Sequence, residues 1–164
     1  MSAGVIPENL ERIKESQYQR FVDTTPSAAA TWKILGIGVS DSLETSYNPQ
    51  VETDKWIIED TARNDHTSNQ KQASVSQKCY KNDPEFEYIN SCRDKLNCMT
   101  HILEIDTWNG TQGNYPAKKS DALITVTSYS GSVIEYDIYF NGDPKEGVAT
   151  IANGVPTFTE SASL

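Results

Sequence analysis

The side chains of this sequence that could perform chemistry are two histidines, three cysteines and many carboxylates. His66 lies in a polar stretch and His101 at the start of an apolar one, and neither has a cysteine or an aspartate pair at ligand spacing. A zinc site, or a nucleophile with its base, requires such residues to converge. The sequence therefore predicts neither a metal site nor a catalytic site, and we expect no enzyme and no cofactor.

The cysteines are Cys79, Cys92 and Cys98, an odd number without C-x-x-C spacing. Such a set predicts neither a complete disulfide framework nor a zinc site. We expect three free, mostly buried thiols, because unpaired cysteine behaves as a small apolar residue.

Length and charge limit the remaining possibilities. A chain of 164 residues predicts a single domain, residues 1–164, with one core. Its net charge is −9, which argues against binding nucleic acid, because that requires clustered cations. No apolar run approaches the roughly 20 residues that span a bilayer, and residues 1–15 lack the features of a signal peptide. We therefore expect a protein made in the cytosol and not attached to a membrane.

The clearest element is a β-hairpin of residues 121–129 and 132–140, joined through Ser130-Gly131. Side chains in a strand alternate between the two faces of the sheet. One face is therefore expected in the core and the other, which is acidic, in water. The core face carries Ile134, Tyr136, Ile138 and Phe140, and the acidic face carries Glu135 and Asp137. Without a nucleophile or metal cluster beside it, this face predicts a surface presented to a partner.

Two helices are predicted. Residues 8–22 carry a broken apolar stripe after Pro7 and form the helix of an N-terminal arm, residues 1–26. A second helix, at about residues 84–97, begins with Asp83 as N-cap and Pro84 in the first turn. It is predicted to have Arg93 and Lys95 in its last turn and Leu96 facing inward. Residues 27–164 form the β core.

Between these elements lie short strands and turns. The wholly polar residues 60–72 predict a flexible loop. Asn141-Gly-Asp-Pro144 predicts a turn, and Asn153-Gly154 predicts a second turn between two short strands.

Five segments of this sequence, taken together with their order and spacing, resemble one protein family. They are Leu10-Glu-Arg-Ile-Lys14, Tyr47-Asn-Pro-Gln50, Cys79-Tyr-Lys-Asn-Asp-Pro-Glu-Phe-Glu-Tyr-Ile89, Tyr136-Asp-Ile-Tyr-Phe-Asn-Gly-Asp-Pro-Lys-Glu-Gly147 and Gly154-Val-Pro-Thr-Phe-Thr159. Together they resemble the major tail (tail tube) proteins of long-tailed bacterial viruses, particularly those that infect Gram-positive hosts. The resemblance covers nearly the whole chain.

This resemblance implies a fold that is mainly β with α (α+β). The implied fold is an antiparallel two-sheet β-sandwich or partial barrel of the tail tube type, with one flanking helix and an N-terminal helix. Six copies would form a ring, and rings would stack into a hollow tube that conducts double-stranded DNA from the capsid to the host cell. The implied partners are further copies of the chain and the tape-measure, tail terminator and distal tail proteins. DNA would pass transiently and without specificity. The implied location is the virion tail, and the host cytoplasm during assembly.

Site residues follow from the same resemblance. Glu135, Asp137, Glu52 and Asp54 are expected to face the bore. Six copies at −9 give −54 per ring, and a bore biased towards that sign would repel DNA phosphates. The polar loop resembles the long family loop that reaches the neighbouring ring, and its candidate contacts are Arg63, Asn64, Asp65, His66, Asn69 and Gln70.

Two alternatives remain open. The inner tube of a contractile tail or tail-like injection particle differs by the presence of a sheath protein. A monomeric β-sandwich module that binds carbohydrate or cell wall would expose an aromatic platform, for which Trp56, Trp108 and Tyr115 are the candidates.

Overall fold

The computed structural model describes residues 4–40, 43–111 and 113–161. In this part of the chain a 3₁₀ turn at Glu15–Gln17 precedes ten strands and one helix. They are β1 Tyr18–Asp23, β2 Trp32–Leu35, β3 Thr45–Ser46, β4 Pro49–Asp54, β5 Arg63–Asn69, β6 Gln72–Lys78, α1 Pro84–Ser91, β7 Cys98–Asp106, β8 Tyr115–Tyr129, β9 Val133–Ala152 and β10 Val155–Glu160. Strands account for 54% of the residues and all strand pairs are antiparallel. The predicted β-rich α+β class is confirmed.

One sheet contains eight of the strands and curls into a partial barrel. Its order is β2-β1-β7-β8-β9-β6-β3, and β10 pairs with β9. Lys78 N donates a hydrogen bond to Gly38 O at 3.0 Å, which joins the end of β6 to the chain that follows β2. Arg20 Nη1 donates to Leu43 O at 2.6 Å, which joins β1 to the segment before β3. Because these elements lie near opposite edges of the sheet, the two contacts close it on itself.

Two hydrophobic cores lie on the two faces of this sheet. The inner core fills the barrel beneath α1 and includes Val22, Ile89, Ile124 and Tyr136. The outer core is smaller and includes Phe21, Trp32, Leu103 and Ala149, with Phe158 of β10 packed against it. The hairpin of β9 and β10 therefore folds back over one part of the outer face. Its turn residues Asn153 and Gly154 have φ values of 51° and 76°, and positive φ at both is what a type I′ hairpin turn requires.

The predicted hairpin of residues 121–129 and 132–140 is confirmed, with Ile134, Tyr136 and Ile138 buried. The predicted turn at residues 141–144 is wrong, because β9 continues to Ala152. Asn141 pairs with Asp121 and Lys145 pairs with Lys119. The intervening Gly142, Asp143 and Pro144 form an interruption in the ladder opposite Ser120, and Gly142 takes a φ of 70°. Backbone pairing on both sides of this interruption keeps the strand continuous.

The predicted N-terminal helix at residues 8–22 is also wrong. Residues 4–14 have no regular structure, and Leu10 and Ile13 are exposed. Of the other residues in the predicted stripe, Tyr18 and Phe21 belong to β1, where Phe21 packs into the outer core and the adjacent Val22 into the inner one. A strand buried on both faces shows no polar alternation, so its sequence does not reveal its period.

Helix α1 begins as predicted and ends earlier. The Asp83 side chain accepts a hydrogen bond from Glu85 N at 3.2 Å, and Pro84 occupies the first turn. The helix ends at Ser91, so Arg93 and Lys95 lie beyond it, and Leu96 is 95% exposed rather than inward. Among the described residues, no helix has the length and apolar character needed to cross a membrane.

The expectation of three free thiols is wrong, because Cys92 and Cys98 form a disulfide across a separation of six residues. This bond joins the end of α1 to the start of β7 and explains why the helix cannot continue to residue 97. Cys79 is free and half-buried. Sequence spacing alone does not determine which cysteines pair.

We expect reduction of this disulfide to lower the free energy of unfolding by about 2 kcal/mol, the loop-closure entropy of a loop of this length. Urea unfolding with and without dithiothreitol measures the difference. The Cys79→Ala variant is the control and should show the same loss on reduction. Identical midpoints for the oxidised and reduced protein would contradict the prediction.

Candidate functional site

A hairpin of β4 and β5 projects from the barrel as a separate two-stranded sheet. Its pairs run from Pro49 and Asn69 at the base to Asp54 and Arg63 near the tip, and every residue of both strands is exposed. Gln70 N donates to Tyr47 O at 2.8 Å and fixes the base. At about 3.3 Å per residue, β4 carries the tip roughly 20 Å from this base.

The predicted flexible loop at residues 60–72 is therefore wrong, because residues 63–69 form β5. Side-chain contacts also order the hairpin: Thr53 Oγ1 donates to Asn64 Oδ1 at 2.7 Å, and His66 Nε2 lies 2.6 Å from Asn69 Oδ1. A strand with two solvated faces carries no apolar alternation, which is why its sequence resembles that of a loop.

The tip of this hairpin, residues 55–62, carries the apolar triplet Trp56-Ile-Ile58 among polar residues, and contacts with Arg63 hold it in shape. Arg63 pairs with Glu59 and lies 4.3 Å above the Trp56 ring. Ile57 is 100% exposed and Ile58 is 85% exposed. The tip thus holds two neighbouring aliphatic side chains in water, at the end of an arm whose strands are otherwise polar.

An isolated two-stranded hairpin is marginally stable in water, and one with an uncovered apolar tip gains from a partner surface. Covering two isoleucine side chains contributes on the order of 3–6 kcal/mol before the costs of association. The hairpin is therefore suited to contact another chain.

The structure divides the predicted site residues between two places. Glu52, Asp54, Arg63, Asn64, Asp65, His66, Asn69 and Gln70 all belong to the hairpin or its base. Glu135 and Asp137 lie instead on the outer face of the barrel, in the central part of the sheet. The four acidic residues expected to share one surface thus lie on two different sheets.

The outer face around Glu135 and Asp137 is polar. Glu135 is exposed and pairs across the strands with Ser76, and Asp137 pairs with Ser74 and Thr125. Ser74 Oγ donates to Asp137 Oδ1 at 2.7 Å. The outer core and its β9–β10 hairpin occupy a different part of the sheet. This part of the outer face is mainly hydrophilic, with Tyr139 partly exposed beside Asp137.

A cleft that the sequence did not indicate opens beside Trp108, at the end of the barrel near Leu43. Its volume is about 840 Å³. We call it the Trp108 cleft, and its lining includes Tyr18, Tyr47, Glu104, Trp108, Lys118 and Glu146. Glu104 is buried in its floor, where it accepts hydrogen bonds from the Tyr18 hydroxyl and the Lys71 ammonium. Burial, followed by the neighbouring Glu104 carboxylate, raises the pKa of Tyr18 well above its ordinary value, so Tyr18 remains a donor.

A second buried carboxyl belongs to Glu85, in the first turn of α1, and extends into the barrel. Glu85 is fully buried, accepts from Gln77 Nε2 at 2.7 Å and from the Tyr136 hydroxyl at 3.0 Å. Burial raises the pKa of Glu85 to about 7, and the Asp83 carboxylate acts in the same direction. In the sequence Glu85 is an ordinary acidic residue of a helical first turn, so nothing there distinguished it from the exposed Glu87.

His101 has carboxylate neighbours that its sequence position did not reveal. Its Nδ1 lies 3.1 Å from Asp23 Oδ2, and its Nε2 lies 3.4 Å from Asp121 Oδ1. Asp23 Oδ1 also accepts from the backbone N–H groups of Thr25 and Thr31, at 3.0 and 3.1 Å. This arrangement fixes the loop between β1 and β2. Among the described residues, no group of three or more His, Cys, Asp or Glu side chains is placed to hold a metal ion.

Of the aromatic residues proposed for a sugar platform, each lies in a different place. Trp56 is at the hairpin tip, Trp108 borders the cleft and Tyr115 packs against the outer core. They form no common surface. A scan against models of protein families finds no match for this chain. A search of curated protein sequences finds no significant match either.

Proposed function

We propose that this chain is a tail tube protein of a long-tailed bacterial virus, with six copies per ring and rings stacked into a tube that conducts double-stranded DNA. The observation that carries the proposal is the projecting hairpin, whose tip exposes the aliphatic side chains of Ile57 and Ile58 and so favours contact with another molecule. The sequence resemblance supplies the family. Of the fold that the family implies, the structure has the antiparallel β-rich class and one helix, but it lacks the N-terminal helix in the part of the chain that it describes.

A contact between the tip of one copy and a different surface of the next is heterologous. Heterologous contacts generate closed rings or open filaments, and both are needed for a stacked tube. The carboxylates of Glu135 and Asp137 on the outer face support the second half of the proposal, because acidic side chains in a bore would repel DNA phosphates. Six such copies, the tape-measure protein, the tail terminator and the distal tail protein form the proposed assembly.

We expect the concentrated protein, alone or with a tail-initiating complex, to form rings or tubes visible by negative-stain electron microscopy. The variant with Ile57→Asp and Ile58→Asp should remain monomeric in sedimentation velocity, because each aspartate would have to be desolvated at the contact. Exposed substitutions change folding stability by within roughly 0.5 kcal/mol, so the thermal midpoint should barely move.

Leu96→Asp is the matched control, since Leu96 is equally exposed and lies outside the hairpin. It should assemble like the unchanged protein. If the unchanged protein stays monomeric under all conditions, the proposed function fails. If the tip variant assembles normally, the proposed tube is retained, but the hairpin tip is not the contact between copies.

A further inference from the structure

The Trp108 cleft has the size and lining of a ligand site. Its volume of about 840 Å³ lies within the range typical of small-molecule sites. Two aromatic side chains border it, Trp108 at 46% exposure and Tyr47 at 51%. Large aromatic surfaces left in water on a concave surface favour an occupant with an apolar face.

At the floor of the cleft, the buried carboxylate of Glu104 already has its hydrogen-bond partners within the chain. Both oxygens of Glu104 are engaged, one by Tyr18 and the other by Lys71. The Lys71 ammonium also lies 5.5 Å from the Tyr47 ring centre and 4.4 Å from that of Phe140. The chain's own cation therefore occupies the buried carboxylate and its cation–π position. A basic side chain from outside would find the deepest anionic position in the cleft taken.

The remaining polar groups in the lining are mostly hydrogen-bond acceptors. Asp106 and Glu146 present carboxylates, and Lys118 lies 3.8 Å from Glu146. Thr45 Oγ1 is buried at the cleft and has no hydrogen-bond partner among the described residues. An anionic ligand would be repelled, because four carboxylates, those of Glu44, Glu104, Asp106 and Glu146, outnumber the two lysines at the cleft, Lys118 in its lining and Lys71 at Glu104.

A ligand that fits these requirements is uncharged, has one apolar face and donates many hydrogen bonds. We propose that the Trp108 cleft binds a neutral saccharide, with the C–H face of one sugar ring against the Trp108 indole. Sugar hydroxyls donate to Asp106 and Glu146 at the rim. This site is independent of tube formation, because its aromatic and polar groups all come from one chain.

Titration of the protein with two neutral hexasaccharides, cellohexaose and the hexamer of N-acetylglucosamine, tests the proposal by calorimetry. At least one should bind saturably below about 10 mM. Trp108→Ala should weaken that binding roughly tenfold or more, because it removes the stacking surface. Trp56→Ala is the matched control: Trp56 is 53% exposed but lies outside the cleft, and its replacement should leave the affinity unchanged.

Three results would overturn the proposal. They are the absence of saturable binding by either saccharide, binding that Trp108→Ala does not weaken, and binding of hexalysine in place of the saccharides. Because Trp108 lies beyond the end of β7 and is exposed, the Trp108→Ala variant should fold, which far-ultraviolet circular dichroism verifies. None of these outcomes depends on whether rings or tubes form.

Discussion

Raising the pH from 4 to 8 should lower the free energy of unfolding through Glu85 by about 3 kcal/mol. The pKa of Glu85 is raised from 4.5 to about 7 in the folded protein, and each unit of difference corresponds to about 1.36 kcal/mol. A group whose folded pKa is raised favours the folded state while it is protonated. This stabilisation is therefore fully present below pH 4.5 and is lost progressively as the pH rises through 7.

The surroundings of Glu85 explain this direction. Burial in the barrel is the largest cause, since it disfavours the charged form. Gln77 from β6 and Tyr136 from β9 donate hydrogen bonds and partly oppose it, whereas the Asp83 carboxylate adds to it. A protonated carboxyl here can donate one hydrogen bond and accept another, and an ionised one leaves a negative charge inside an apolar core.

Urea unfolding of the native protein and of Glu85→Gln, measured between pH 4 and pH 8, isolates this contribution. Glutamine keeps the shape and carries no charge, and like the protonated carboxyl it offers one acceptor oxygen and one donor. The two proteins should therefore be similar at pH 4, and the variant should be more stable by about 3 kcal/mol at pH 8. Glu87→Gln, on the exposed side of the same helix, should follow the native protein. A constant difference between Glu85→Gln and the native protein across this range would show that Glu85 is not a buried titrating group.

Some strands could be predicted from the sequence because one of their faces is buried and the other is exposed to solvent. The hairpin of β8 and β9 alternates clearly, since Ile134 and Tyr136 are buried and Glu135 is exposed. Two other strands had no such contrast. β1 is buried on both faces and resembled a helix, while β5 is exposed on both faces and resembled a loop. Period alone cannot identify a strand whose two faces have the same environment.

The candidate sites could not be predicted as well from the sequence, because they depend on contacts between segments that are distant in the chain. Tyr18 and Glu104 are 86 residues apart in the chain, and Lys71 and Glu104 are 33 apart. No local pattern marks them as neighbours. The hairpin tip did carry a local signal, because Trp56-Ile-Ile58 is an apolar triplet in a polar stretch of sequence. Apolar residues in a polar stretch of sequence can therefore be exposed as well as buried.

The acidic outer face leads to the last prediction, which rests on the proposed tube. Replacing Glu135 and Asp137 with lysine changes twelve residues in a ring of six copies, and at two charge units each the ring shifts by +24. Both side chains lie opposite buried residues. The cost in folding is therefore small, with about 0.5–1.5 kcal/mol expected for the hydrogen bond from Ser74 to Asp137. Tails should assemble with normal shape.

DNA ejection from particles carrying these lysines should be slow or incomplete, because the bore would offer phosphates cationic sites at which to bind. Added salt should relieve the defect, since it screens the attraction.

The matched variant with Glu52→Lys and Asp54→Lys makes the same change of charge on the projecting hairpin. The position of that hairpin predicts an altered yield of tubes and normal ejection from those that form. Ejection kinetics at low and high salt, measured on both variants, separate the two surfaces. Normal ejection at low salt from well-formed tails with lysine at positions 135 and 137 would mean that this face of the barrel does not line the bore.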